Sequence, residues 1–308
     1  MRAVVFAYHD IGVIGLEQLH CHGVEIALVL SHPDDANEEC WFASVVDWCR
    51  ERGVPCERPH NANLAPWPDR VAACRPDILF SFFYRRLLSR ELLQTAPRGG
   101  LNLHASLLPA YRGRCPANWV LVRGESQTGV TLHHMSEQAD AGDIVGQIPV
   151  PISSQDDIVS LYTRLKTAAE VLLEAWLPAI IEDRAPRRSQ DESGATTFGR
   201  RSPDDGLIDW SRSARELYNL VRAVTSPYPG AFTYLEGRRL TLWRVAVVAG
   251  VHPDCVIGAL RIIDQEVVVG CGEGALKLLD LSWGEHRSRG PDVAQLLHDW
   301  DHTRFVTG

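Results

Sequence analysis

The sequence predicts an α/β protein in which a mainly parallel sheet is followed by a smaller, strand-rich, barrel-like domain. Three features carry that reading. Short apolar runs alternate with helical stretches from residue 2 to residue 182, the pattern of successive β-α-β units. Residues 183–205 then turn polar and charged, with the run D-R-A-P-R-R-S-Q-D-E-S-G. Beyond them, strand-like runs are separated by Gly or Asp, as in a small barrel.

The elements follow in order. Residues 2–8 form an apolar run, His9-Asp10-Ile11-Gly12 is turn-prone, and 13–22 reads as a helix. A second run covers 24–30, and helices are expected at 41–52 and near 69–74. Residues 77–83 form a third buried strand, 101–103 a strand end, and 130–134 and 144–152 late strands. The clearest helix spans 158–182, where Leu161, Leu165, Ala168, Leu172, Leu173 and Trp176 fall on nearly one face. This sets a first domain at 1–188, a linker at 189–203 within the polar stretch, and a second domain at 204–308. The second domain is expected to hold a helix at 214–224, the turn S-P-Y-P-G, and strands at 231–234, 239–248, 266–269 and 275–281.

A length of 308 residues fits two domains at about 150 residues each. Hydrophobic residues at 45% and charged residues at 23% exclude a mainly disordered chain. No window approaches the roughly 18 apolar residues of a membrane span, and the N-terminus has no secretion-signal pattern. A formal charge of −8 argues against holding a nucleic-acid backbone over a broad surface and is compatible with a small substrate in a cleft. Eight scattered cysteines without a C-x-x-C pair point to reduced thiols and a cytoplasmic location.

Candidate chemistry begins at the N-terminus, where Gly12 and Gly15 follow a strand and open a helix. The first glycine of G-x-G-x-x-G is missing, so the pair reads as close helix–strand packing and NAD is not expected. N-L-H-A-S-L-L-P-A-Y-R-G-R at 102–114 is more informative. Asn102 and His104 are two apart on a strand and point to one face, at the carboxyl end where open α/β sheets bind ligands. An amide beside an imidazole suits a developing oxyanion, although N-x-H alone equally describes a satisfied core histidine. Asp140, between Ala139 and Ala141 and before Gly142, reads as a carboxylate in a tight loop. Near His104 it would favour the imidazolium; by itself it could simply cap the turn. His133 and His134 are adjacent on a strand, so they face opposite ways, and no metal site is expected.

N-L-H-A-S-L-L-P-A-Y-R-G-R, T-G-V-T-L-H-H-M and A-D-A-G-D-I-V together resemble the formyltransferases that use N10-formyltetrahydrofolate. F-G-R-R-S-P-D-D at 198–205 and S-P-Y-P-G-A-F at 226–232 extend the resemblance over nearly the whole chain. F-A-Y-H-D-I-G and F-S-F-F-Y-R-R-L-L narrow it toward the members acting on UDP-4-amino-4-deoxy-L-arabinose in lipid A modification and polymyxin resistance. The resemblance implies a Rossmann-like first domain and an OB-like second one. It makes Asn102, His104 and Asp140 the catalytic set. It places the folate co-substrate against Arg86, Leu87 and Leu88 and against Ser136, Glu137, Gln138, Ala139 and Asp140, with Arg114 a further contact. Cys115 departs from the small apolar residue expected before the proline. Those members form the formylating half of a bifunctional enzyme whose dehydrogenase-type half is not in this sequence, so the chain reads as an excised domain or a stand-alone enzyme, without sugar oxidation.

The expected reaction is attack of a sugar amine on the formyl carbon, with Asn102 and His104 at the oxyanion and no covalent enzyme intermediate. Arg201 and Tyr228 are candidates for the nucleotide portion of the acceptor, since guanidinium groups suit diphosphates. Formylation of initiator methionyl-tRNA is disfavoured, because residues 204–308 carry 14 acidic against 11 basic residues, a net −3. Other aminosugar nucleotides, a folate hydrolase, and a non-catalytic folate or nucleotide-sugar sensor are the competing readings. The oligomeric state is not legible.

Overall fold

The apolar runs become the inner strands of a seven-stranded sheet in the computed structural model, which describes residues 1–33, 41–248 and 256–305. Cys40 and Cys255 lie outside the described residues; the six other cysteines are free. Strands β1 (Arg2–Ala7), β2 (Glu25–Leu30), β3 (Cys56–Glu57), β4 (Ile78–Phe82) and β5 (Gly100–His104) run parallel. Helices α1 (His9–Cys21), α2 (Val45–Arg52), α3 (Trp67–Ala73) and α4 (Arg90–Leu93) lie between them in sequence. After the short β6 (Arg112–Gly113) and helix α5 (Pro116–Arg123), β7 (Gln127–His134) and β8 (Ile144–Pro151) close the sheet antiparallel. The order β3-β2-β1-β4-β5-β7-β8 changes direction at β1 and β4, the kind of place where such sheets take ligands. β4 is buried along its whole length, which explains an apolar run broken only by Ser81.

The residues expected to turn at 9–12 are instead the first turn of α1, which starts directly after β1. Gly15 then lets α1 lie against β4, because a Cβ there would meet the Phe82 ring at 2.2 Å. α2 begins at Val45 rather than 41, since the Ser44 hydroxyl accepts the Asp47 N–H at 3.1 Å and caps it there. The long helix α6 (Ile158–Ile181) appears as its periodicity requires. No helix among the described residues is long and apolar enough to cross a membrane.

The chain divides into two compact units. The first holds Met1–Pro116, Gln127–Ile152 and Tyr162–Gly199; the second holds Ala117–Ser126, Ser153–Leu161 and Arg200–Gly308. The polar stretch expected as a linker differs from that expectation up to Gly199. It carries a 3-10 turn at Glu192–Gly194 and strand β9 (Thr197–Phe198), which pairs in parallel with β6. Several of its polar side chains, though mostly exposed, bond loops of the first unit, as described below.

The second unit contains α7 (Ala214–Val224), started by a capping box between Ser213 and Glu216. Strands β10 (Ala231–Leu235), β11 (Arg238–Val247), β12 (Leu260–Ile263), β13 (Glu266–Gly270), β14 (Ala275–Trp283) and β15 (His286–Arg289) form one antiparallel sheet. Its order is β10-β11-β14-β13-β12, with β15 beside β14. β12, β15 and the short α8 (Asp292–Leu296) were not expected from the sequence; none carries a long apolar run. Trp210 is fully buried here, its indole N–H donating to Thr233 Oγ1 at 3.0 Å.

Candidate active site

β5 delivers Asn102 and His104 to one face of the sheet, and its antiparallel partner β7 sets the rest. Asn102 pairs with His133 and His104 with Thr131, so all four side chains share that face. Asn102 Nδ2 lies 3.0 Å from His133 Nε2. The loop after β7 returns Asp140 to the same place. Its Oδ1 is 3.3 Å from Asn102 Nδ2, 3.6 Å from His104 Nδ1 and 3.5 Å from His133 Nε2. Its Oδ2 accepts the Gly113 N–H at 2.9 Å. The structure thus brings Asn102, His104 and Asp140 together, and adds His133.

The hydrogen bonds assign the ring protons. His104 Nε2–H donates to the Tyr111 carbonyl at 2.8 Å, since a carbonyl only accepts. His133 Nδ1–H likewise donates to the His134 carbonyl at 2.9 Å, and its Nε2 lies between Asn102 Nδ2 and Asp140 Oδ1. Burial pushes the Asp140 carboxyl up, but the His104 and His133 imidazoles and the Gly113 N–H outweigh it. Together they hold the carboxyl well below the usual carboxylate range. The site therefore keeps a buried negative charge among donors. Asp140 has a positive φ of 52°, and Gly142 follows where a Cβ would meet the His134 carbonyl oxygen at 1.9 Å. The loop needs glycine there to close.

The expected folate contacts are divided. Arg86 and Leu87 are exposed, Leu87 at 59%, whereas Leu88 packs into the core with Leu79 and Leu92. The Leu88 side chain is a core residue, which leaves its backbone as the part that would meet the folate. Arg86 and Arg114 both lie near enough to His32 for their charges, with that of Arg85, to oppose its protonation. Ser136, Glu137 and Gln138 form the exposed rim of the Asp140 loop, and Ala139 is half-buried. The Ser136 hydroxyl donates to the Gln138 carbonyl at 3.0 Å, and Glu137 pairs with Arg90 at 3.3 Å. Arg201 and Tyr228 belong to the second unit. The Arg201 guanidinium lies 4.7 Å from the Trp119 ring and donates to the Asp205 carbonyl. Tyr228 N–H closes a turn on the Thr225 carbonyl. His134 turns away from the site to the Pro186 carbonyl, as its neighbour's orientation requires. Among the described residues no group of three His, Cys, Asp or Glu is arranged to hold a metal.

Sequence reasoning missed His133 as a partner of the trio, although the register that places it opposite Asn102 could have shown it. It also missed Tyr111, Arg112, Gln190 and Glu192, whose roles come from loop contacts with no periodic signal.

An amide, an imidazole and a carboxylate at the end of a parallel strand define a site for acyl transfer to a nucleophile. Residues 8–177 match the family model described as formyl transferase, and residues 200–295 the model of its C-terminal domain. The chain belongs to the formyltransferase family. Among solved structures it is similar to an N-formyltransferase from Helicobacter canadensis in complex with folinic acid and dTDP-3-aminofucose. That likeness covers 90% of this chain and 98% of the other, at 16% identity and a TM-score of 0.68. It is similar to WlaRD, a sugar 3N-formyl transferase solved with dTDP and 5-N-formyl-THF, over 90% and 97% of the two chains, at 16% identity and a TM-score of 0.67. Glycinamide ribonucleotide transformylase 1 from Symbiobacterium toebii matches 62% of this chain over 94% of its own, at 23% identity and a TM-score of 0.53. At these identities the likeness is one of fold.

Proposed function

We propose that this formyltransferase moves a formyl group from N10-formyltetrahydrofolate to the amine of a nucleotide-linked aminosugar, specifically the 4-amino group of UDP-4-amino-4-deoxy-L-arabinose. The observation that carries it is the convergence of Asn102, His104 and Asp140 on the end of β5. The folates named for two of the similar structures, with dTDP-3-aminofucose in one and dTDP in the other, support the substrate classes. The motifs at 6–12 and 80–88 support the particular sugar and its place in lipid A modification.

In the reaction a bond forms between the amine nitrogen and the formyl carbon, the bond from that carbon to N10 breaks, and the amine's proton ends on N10. Asn102 donates to the oxyanion by giving up its longer contact, the 3.3 Å one to Asp140. His104 is the second donor or acid, giving up its Nε2–H bond to the Tyr111 carbonyl while its Nδ1 stays beside the Asp140 charge. Asp140 receives the amine's proton directly or through water. Arg86, Leu87, Arg114 and residues 136–140 are assigned to the folate, and Arg201 and Tyr228 to the nucleotide.

The test is a panel of UDP- and dTDP-linked 3-amino and 4-amino sugars incubated with N10-formyltetrahydrofolate. Formylation of UDP-4-amino-4-deoxy-L-arabinose with the highest kcat/KM is expected. Preference for another aminosugar would replace the acceptor, and folate binding without turnover on any amine would make the chain a sensor. Arg201→Ala should raise KM for the sugar nucleotide about tenfold while KM for the formyl donor moves far less. Equal changes in the two constants would remove Arg201 from the acceptor site.

A further inference from the structure

The polar segment from residue 184 to 199 is fastened to both loops that carry the site. On the loop after β5, Tyr111 N–H donates to Thr196 Oγ1 at 2.8 Å, Arg112 N–H to the Thr196 carbonyl at 2.8 Å, and Arg114 N–H to the Phe198 carbonyl at 3.0 Å. The Tyr111 ring also stacks on Phe198, with centroids 4.7 Å apart. On the loop after β7, Ile144 and Arg188 exchange two backbone hydrogen bonds, and Ser189 Oγ donates to Asp143 Oδ1 at 3.2 Å.

Gln190 joins the two sides. Its Nε2 donates to the carbonyls of Asp140 at 2.8 Å and Gly142 at 2.7 Å. Its Oε1 accepts from Arg112 Nε at 3.2 Å and Nη2 at 2.7 Å. Both amide hydrogens and both acceptor positions of the side chain are therefore used. Arg112 is itself buried and makes a two-pronged pair with Glu192, at 2.9 and 2.7 Å, so it cannot swing away from Gln190 without losing that pair.

We propose that Gln190 is a positioning residue for Asp140: its amide holds the loop that carries the carboxylate and ties it, through Arg112, to the loop whose Gly113 N–H meets Asp140 Oδ2. Asp140 needs such a holder. Its left-handed backbone is less favourable than the right-handed regions even for an aspartate, so contacts on the loop help to keep it. Two carbonyls of that loop, Asp140 and Gly142, point at one amide, and only a side chain with two donors can satisfy both. A glutamate of the same length would accept from Arg112 but set lone pairs against those carbonyls. The role of this segment in catalysis is thus positional, and the proposal rests on the formyl-transfer reading.

Two variants test it. Gln190→Glu keeps the acceptor for Arg112 and loses both donors; Gln190→Ala loses all four contacts without adding charge. Both should lower kcat by about tenfold or more, with KM for the aminosugar nucleotide within about threefold, because the residue acts through Asp140. KM for the folate, which is assigned to the same loop, should rise alongside. The thermal midpoint of Gln190→Glu should fall only in part and stay well above the assay temperature, so that kcat is read on folded protein. A kcat within about twofold of the parent in either folded variant overturns the proposal, as does a loss that tracks a falling midpoint in both. If Gln190→Ala does not fold, Gln190→Glu decides alone. A readout free of turnover is the 13C titration of the Asp140 carboxyl, which should rise toward the ordinary carboxylate range in the variants. An unmoved titration overturns the role of Gln190. A parent that formylates no amine overturns the functional reading instead.

Discussion

Asn102 is the residue on which the oxyanion assignment turns. Its amide sits within hydrogen-bond reach of both His133 and Asp140, so Asn102→Ala removes one donor and leaves two buried partners without it. A donor aimed at a transition-state oxygen is typically worth about 10²- to 10³-fold in kcat, while KM for the folate should change little. Steady-state kinetics on the variant check this, and parent-like turnover would remove Asn102 from the oxyanion. Asp140 gives a second test, of stability. Its folded pKa is depressed below the unfolded value of 3.8, so its contribution is present above that value and is lost as pH falls through the depressed one. Asp140→Asn removes that titration. The stability gap between parent and variant should therefore be constant from neutrality to about pH 5 and narrow in stronger acid. A gap that does not change with pH would mean the carboxylate gains nothing from its imidazole neighbours.

At the scale of elements, the loop between β7 and β8 is the part most sensitive to a small change. Gly142→Ala drives a methyl group against the His134 backbone, which cannot rotate aside as a flexible side chain would. Overpacking of this kind costs about 1–3 kcal/mol, and the shift passes to Asp140 two residues away. Both the thermal midpoint and kcat should fall. Gly199→Ala, where a Cβ meets nothing within 4 Å, is the control expected to behave as the parent. An unaffected Gly142→Ala would show that the loop has room to move. The same loop marks where sequence reading stops. β1, β4, α6 and α7 were legible because burial imposes an apolar run or a helical period on their residues. The trio was legible in part, since Asn102 and His104 share a strand face and Asp140 stands among small residues. Their meeting was not, because it depends on the β5–β7 register and on a loop closure that no periodicity encodes. The contacts of the polar stretch were not legible for a related reason. Gln190 and Glu192 bond Arg112 and backbone carbonyls although Glu192 itself stays exposed, and composition does not encode such bonds.

At the scale of the whole molecule, a net charge of −8 conceals a local excess of positive charge in the first unit. His32, at the end of β2, is buried and faces the charges of Arg85, Arg86 and Arg114; burial first, then these cations, push it down to about 4. It nonetheless has a structural duty, accepting the Arg85 N–H at 2.8 Å through Nε2. His9 behaves alike. Burial lowers it to about 4 with help from Arg85 and Lys166, against the pull of Asp10, while the Tyr162 hydroxyl lies 3.1 Å from its Nδ1. Both side chains are thus neutral in the folded protein at neutral pH. An unfolded chain takes up their protons from about pH 6.5 downward, whereas the folded one resists until about pH 4. Stability is therefore full above 6.5 and falls between 6.5 and 4, by at most about 1.4 kcal/mol per pH unit for each histidine. This window lies above the one in which Asp140 titrates, so the two effects separate. His32→Gln keeps an acceptor for Arg85 and cannot titrate. Its thermal midpoint should drop less than the parent's between pH 7 and pH 4.5, and parallel drops would mean that His32 is already free to protonate in the folded chain.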